Sequence, residues 1–126
     1  MAYYVPTESE EQQSLISWVK RSLGKYPELN MLYHVTNEGK RSPVTGARLK
    51  AEGLQPGVPD LCLAVARGEH HGLYIEMKRT KGGRVSPEQA RWIEKLSREG
   101  YVAVVCRGWE QARDVIERYL VNEHTV

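Results

Sequence analysis

An α/β fold, a mixed central sheet flanked by helices, is what this chain predicts, and three observations predict it. Segments with apolar residues every three or four positions alternate with short apolar or β-branched runs, in the order α-β-β-β-α-β-α. Two of those runs, Leu61 to Ala66 and Leu73 to Lys78, are separated only by Arg67 to Gly72, a gap that suits a hairpin and an antiparallel pair. The chain has 126 residues, 40% of them hydrophobic, which is enough for one core and too few for two domains. Residues 1–126 are therefore read as a single domain.

The first helix covers Thr7 to Leu23. Acids lead it, Leu15, Ile16, Val19 and Leu23 form one stripe, and Gly24 and Pro27 stand just beyond. Met31 to Thr36 mixes large apolar and β-branched residues until Asn37, Glu38 and Gly39 break it, giving a strand and a turn. A basic segment with Lys40, Arg41, Arg48 and Lys50 follows, part loop and part short helix ending at Gly53. In Gln55-Pro56-Gly57-Val58-Pro59, two prolines and a glycine exclude helix interior and set an extended entry into the next run. That run, Leu61 to Ala66, is continuously apolar and suits a strand covered on both faces. Leu73 to Lys78 is the third strand. Ser86-Pro87-Glu88-Gln89 carries a helix start, Trp92, Ile93 and Leu96 its apolar face, and Gly100 its end. Val102 to Cys106 is the fourth strand, and Ala112, Val115, Ile116, Tyr119 and Leu120 line one side of the last helix.

Eighteen Lys and Arg against sixteen Asp and Glu leave a net charge of only +2, so a polyanionic partner is met by local clusters and not by bulk attraction. No apolar run approaches the roughly 20 residues that span a bilayer, and Met1 to Thr7 lacks the pattern of a secretory signal. A cytoplasmic protein without a membrane partner is expected. Cys62 and Cys106 sit inside apolar strands, which favours reduced, buried thiols over a disulfide framework. Asp60 and Asp114 are the only aspartates, so an Asp placed outside a helix stands out.

Asp60 stands at the mouth of the second strand, and Glu76 and Lys78 lie near the end of the third. Strand side chains alternate, so Glu76 and Lys78 share one face while Ile75 and Met77 take the other. Antiparallel pairing brings Asp60 beside Glu76. Two neighbouring carboxylates repel unless a cation lies between them, and a hard divalent ion such as Mg²⁺ supplies that charge. Such a set suits phosphodiester hydrolysis: the ion offsets charge in the transition state and acidifies water, and a lysine orients it. On spacing alone, an exposed strand pair plus a turn aspartate is the competing reading.

Three stretches decide between them. Gly57-Val58-Pro59-Asp60-Leu61, Gly72-Leu73-Tyr74-Ile75-Glu76-Met77-Lys78 and Ser86-Pro87-Glu88-Gln89 with Trp92 resemble the virus-type replication-repair (VRR-NUC) branch of the PD-(D/E)XK nucleases. The likeness runs from Glu8 to Tyr119. It implies a restriction-endonuclease-like αβββαβα core, metal ligation by Asp60, Glu76 and the Met77 carbonyl, and a catalytic Lys78. It also implies a glutamate on the first helix near the metal, followed by a glutamine. Glu8, with Gln12 and Trp18 behind it, fits that spacing best and Glu11 second, with Glu10 also available; acids in a first turn also favour the helix dipole in their own right. Gln89 has two readings as well. It falls at the third helical position after Ser86, where it closes a capping box, and related nucleases use a glutamine there to hold the site or the scissile phosphate.

Basic residues flank the proposed site: Lys40, Arg41, Arg48 and Lys50 before it, and Arg79, Lys81, Arg84 and Arg91 after it, with Gly82-Gly83 read as a flexible loop. Contact with the DNA backbone is the reading that places them best. No zinc-finger, homeodomain-like or aromatic RNA-binding pattern is present, so recognition by backbone shape is expected. His70 and His71 read as loop residues, His34 as a satisfied strand histidine, and Trp18, Trp92 and Trp109 as core packing. Together these predict a Mg²⁺-dependent DNA endonuclease, with Mn²⁺ able to substitute. Compact members of the branch resemble Holliday-junction resolvases, so the resemblance implies a homodimer on branched DNA, and a host cytoplasm if the chain is phage-encoded. A flap, nick or plain-duplex nuclease, a catalytically inactive DNA-binding module, and a basic domain binding an acidic protein are the alternatives.

Overall fold

Thr7 starts the first helix. Its hydroxyl accepts the Glu10 N–H at 3.1 Å while the Glu10 carboxylate accepts the Thr7 N–H at 2.9 Å, a closed capping box. The helix, α1, runs Glu8–Arg21. The structure, a computed structural model, describes residues 4–36 and 43–122, so Lys40 and Arg41 and the turn at Asn37 lie outside the described residues. Pro27–Met31 forms a 3-10 turn and Leu32–His34 is β1. Then come α2 (Pro43–Ala51), β2 (Leu61–Leu63), β3 (Leu73–Lys78), α3 (Pro87–Arg98), β4 (Val102–Arg107) and α4 (Trp109–Leu120). α2 is the short helix that the basic segment predicts, and Gly53, at φ +109°, follows it.

The sheet order is β1-β2-β3-β4. β1 and β3 both run antiparallel to β2, while β3 and β4 are parallel and joined across α3. This is the mixed sheet flanked by helices that the sequence predicts. Two strands are shorter than their apolar runs. After Leu63 the chain leaves the ladder: Ala64 and Ala66 are exposed, and the Val65 carbonyl accepts the Tyr119 hydroxyl at 2.6 Å. Before Leu32, Pro27 fixes φ and coils the segment through Met31. The hairpin between β2 and β3 is present, with Arg67 and His70 bridged across its tip.

One sheet face carries the core. Leu61, Leu63, Leu73, Ile75 and Met77 pack with Leu15 and Val19 of α1 and Ala112, Ile116, Tyr119 and Leu120 of α4. Truncating any of the fully buried leucines here costs about 2–5 kcal/mol by general precedent. Trp18 and Trp109 pack against this core, but among the described residues Trp92 lies outside it, so the expectation of core packing fails for that one tryptophan. The other face presents Cys62, Tyr74, Glu76 and Lys78. Cys62 and Cys106 are free and buried, and burial pushes the Cys106 thiol up to about 12, the state of an unreactive thiol. Among the described residues, no helix is long and apolar enough to cross a membrane.

Candidate active site

Register brings the acids together. Leu61 pairs with Ile75, and one further step places Asp60 opposite Glu76, in the close-set position of an antiparallel pair. The Asp60 backbone is fixed from the β1 side: its carbonyl accepts the Val35 N–H at 2.7 Å and lies 3.0 Å from the His34 Nδ1. Its carboxylate Oδ2 accepts the Met77 N–H at 2.8 Å. The N–H and C=O of one strand residue point the same way, so the Met77 carbonyl also opens toward Asp60. Lys78 points its carbonyl oppositely, to the Gly108 N–H at 2.9 Å.

Glu76 is 1% exposed. The Gln89 amide donates to its Oε2 at 3.1 Å, and Lys78 Nζ stands 3.7 Å from the same oxygen and 3.8 Å from Glu8 Oε2. Oε1 of Glu76 is buried with no hydrogen-bond partner among the described residues. Burial first, then the Asp60 charge and a hydrogen bond with Asp60, push the Glu76 carboxyl up to about 8, against a smaller opposing pull from Lys78. A buried carboxylate with one orphaned oxygen beside a second carboxylate is a donor set that a cation would satisfy. Among the described residues, no three acidic, imidazole or thiol side chains group together as a metal cluster. An ion here would thus rest on two carboxylates, a carbonyl, water and phosphate, the sparse oxygen set that Mg²⁺ accepts.

Gln89 closes the capping box and also reaches Glu76. Its Oε1 accepts the Ser86 N–H at 2.9 Å while the Ser86 hydroxyl accepts the Gln89 N–H at 3.1 Å, and this capping box leaves the amide nitrogen to aim at Glu76. The first-helix acids divide three ways. Glu10 closes the box at Thr7. Glu11 is buried and accepts the Trp109 N–H at 2.9 Å, capping α4. Glu8 lines the cleft with Asp60, Glu76 and Gln89. This cleft holds about 400 Å³ and opens between Pro56-Gly57 and the start of α3.

The basic residues separate as well. Arg48 and Lys50 are exposed on α2, and Lys81 and Arg84 are exposed beyond β3, as backbone contact requires. Arg79 is engaged elsewhere, donating to the Val5 and Pro6 carbonyls at 3.0 and 3.3 Å. The loop at Gly82-Gly83 is tied and not free: Arg107 donates to their carbonyls at 2.7 and 3.3 Å. Sequence reasoning missed Arg107 and the His34 contact. Register alone could have suggested the former, since Arg107 sits opposite Lys78 across the parallel pair.

Gly57 sets the distance between the Asp60 loop and α3. It has φ +92°, and a Cβ there would lie 2.6 Å from the Glu88 backbone carbon. Gly57→Ala is expected to push the start of α3 away and with it Gln89, lowering stability by about 1–3 kcal/mol. Thermal unfolding and a cleavage assay on the same preparation check this; an unchanged melting temperature and rate would contradict it.

The model of the VRR-NUC domain family matches residues 7–110. A solved structure described as a VRR_NUC domain protein superposes with a TM-score of 0.81 at 34% identity, over 94% of this chain and 91% of that one. Among curated proteins nothing matches.

Proposed function

We propose that this chain, which belongs to the VRR-NUC domain family and so carries a nuclease-type domain, is a metal-dependent DNA endonuclease that cuts branched DNA, most specifically the four-way junction, as a homodimer. The observation that carries the reading is the pairing of Asp60 with a buried Glu76 whose Oε1 has no partner. Asp60, Glu76 and the Met77 carbonyl would hold Mg²⁺, or Mn²⁺ in its place, with Glu8 lining the same cleft. When bound it would supply Lewis-acid polarisation of the phosphate and a more acidic water.

The chain's own residues do the rest. Asp60 and Glu76 hold the ion, and Gln89 keeps Glu76 turned inward. The Lys78 ammonium stands beside Glu76 and Glu8 of that cleft, where it would orient the attacking water and offset charge gathering on the non-bridging phosphate oxygens. Water adds to phosphorus, the P–O bond to the leaving strand breaks, and the proton passes to solvent or to the departing oxygen. Arg48, Lys50, Lys81 and Arg84 meet flanking phosphates, with Lys40 and Arg41 joining them. One such site serves one strand, so two copies related by a two-fold axis suit a symmetric junction.

Cleavage of a non-migrating four-way junction, a flap and a linear duplex tests this, each with metal omitted, with Mg²⁺, and with Mg²⁺ plus Asp60→Asn. Junction cutting by the wild type with metal alone is expected, with Asp60→Asn slower by about 10²–10⁴-fold. Cutting of flaps only would replace the junction by a flap as substrate. Binding without cutting under any condition would favour the inactive DNA-binding module.

A further inference from the structure

A second, smaller hollow adjoins the catalytic cleft. Gln55, Pro56, Glu88, Arg91, Trp92 and Lys95 enclose about 170 Å³, and Pro56 and Glu88 line both spaces. The four helical residues are spaced 88, 91, 92 and 95, so they form one continuous face of α3. Trp92 is half-buried and lies outside the core that takes in Trp18 and Trp109. Lys95 Nζ sits 5.5 Å from the centre of its indole ring, and Arg91 and Lys95 are both exposed.

Each property points to the same class of ligand. A cavity of about 150 Å³ holds a benzene-sized ring, so this hollow takes one planar ring. An indole face stacks on any nucleobase. Two cations beside it suit the phosphate attached to that base, and the Gln55 amide and Glu88 carboxylate suit its polar edge. The shared walls at Pro56 and Glu88 place the hollow beside the catalytic cleft. Bases stacked in a continuous duplex cannot enter; an unpaired base at a branch can.

We infer that Trp92, with Arg91 and Lys95, forms a subsite for one unstacked nucleobase of the strand being cut. This rests on the nuclease reading and deepens it, because it gives the domain a local means of preferring branched over fully paired DNA.

The test uses the full chain carrying Lys78→Ala, so that bound DNA stays intact, and measures affinity for a flap-bearing duplex and for a fully paired duplex of the same length. Adding Trp92→Leu is expected to weaken binding of the branched DNA by about 10-fold and of the duplex by less than about 2-fold. Trp92→Tyr, which keeps a ring, should recover most of the loss. Arg91→Gln with Lys95→Gln should flatten the salt dependence of binding by up to about two counterions. In a second readout, 2-aminopurine placed at the branch should lose fluorescence on binding and keep it with Trp92→Leu. Equal losses on both DNAs, or no fluorescence change with the tryptophan present, would overturn the subsite, and the fluorescence readout stands even if Trp92→Leu does not fold. Metal-dependent cutting by the wild type with no effect of Trp92 removes the subsite and leaves the nuclease. A Trp92 effect on binding without any cutting does the reverse.

Discussion

Lys78→Ala is expected to lower the rate of metal-dependent strand cleavage by about 10²–10⁴-fold while DNA binding changes little. The ammonium is buried beside the cleft acids and not set on the surface. It is 5% exposed and stands within 4 Å of both Glu76 and Glu8, so it is poorly placed to act as a surface phosphate contact. Its loss removes a positive charge beside the reacting phosphate, whereas Arg48, Lys50, Lys81 and Arg84 still hold the backbone. Rates under single-turnover conditions together with a binding isotherm check this. Undiminished cutting would remove Lys78 from the mechanism, and a parallel collapse of binding would make it an anchor.

Glu76→Gln is expected to abolish cleavage and, in the absence of metal, to stabilise the fold at pH 8. The folded-state pKa of Glu76 is raised from 4.5 to about 8, so the fold binds this proton more tightly than the unfolded chain does. The stability that comes with it is complete below pH about 4.5 and is lost progressively as pH rises through about 8. Near pH 8 the wild type must bury a charge beside Asp60 that Lys78, at 3.7 Å, offsets only in part, and an uncharged amide of the same shape avoids that. A gain on the order of 1–3 kcal/mol follows, which for a domain of this size is several degrees of melting temperature. Melting curves from pH 5 to pH 8 in a chelator should show the wild type falling and Glu76→Gln nearly level. Adding Mg²⁺ should then raise the wild type alone. A variant no more stable than the wild type at pH 8 would mean the pocket already satisfies the charged acid.

Much of this was legible in the sequence, for reasons specific to particular residues. β3 is read correctly from Leu73 to Lys78 because alternation and buried apolar residues agree along its whole length. α3 is likewise marked at its start by Ser86 and Pro87, whose capping chemistry is local. The acids could be paired because a short hairpin leaves one sensible register. What failed depended on distant partners. Ala64 to Ala66 looks like strand by composition, but its backbone is drawn off by Tyr119, more than fifty residues away. Trp92 resembles core by helical spacing, yet it stays half-buried outside the cluster that takes in Trp18 and Trp109. Glu8, Glu10 and Glu11 are equivalent on local chemistry, and they are told apart only by Thr7, Trp109 and Lys78. The Gly82-Gly83 loop reads as free until Arg107 comes back beside it.

Glu11 belongs to the first helix and the Trp109 N–H it caps to the last, so the position of Glu8 beside the cleft depends on a contact between residues 98 positions apart. A chain truncated before residue 109 would therefore keep Asp60, Glu76, Lys78 and Gln89 and lose the contact that anchors the helix bearing Glu8.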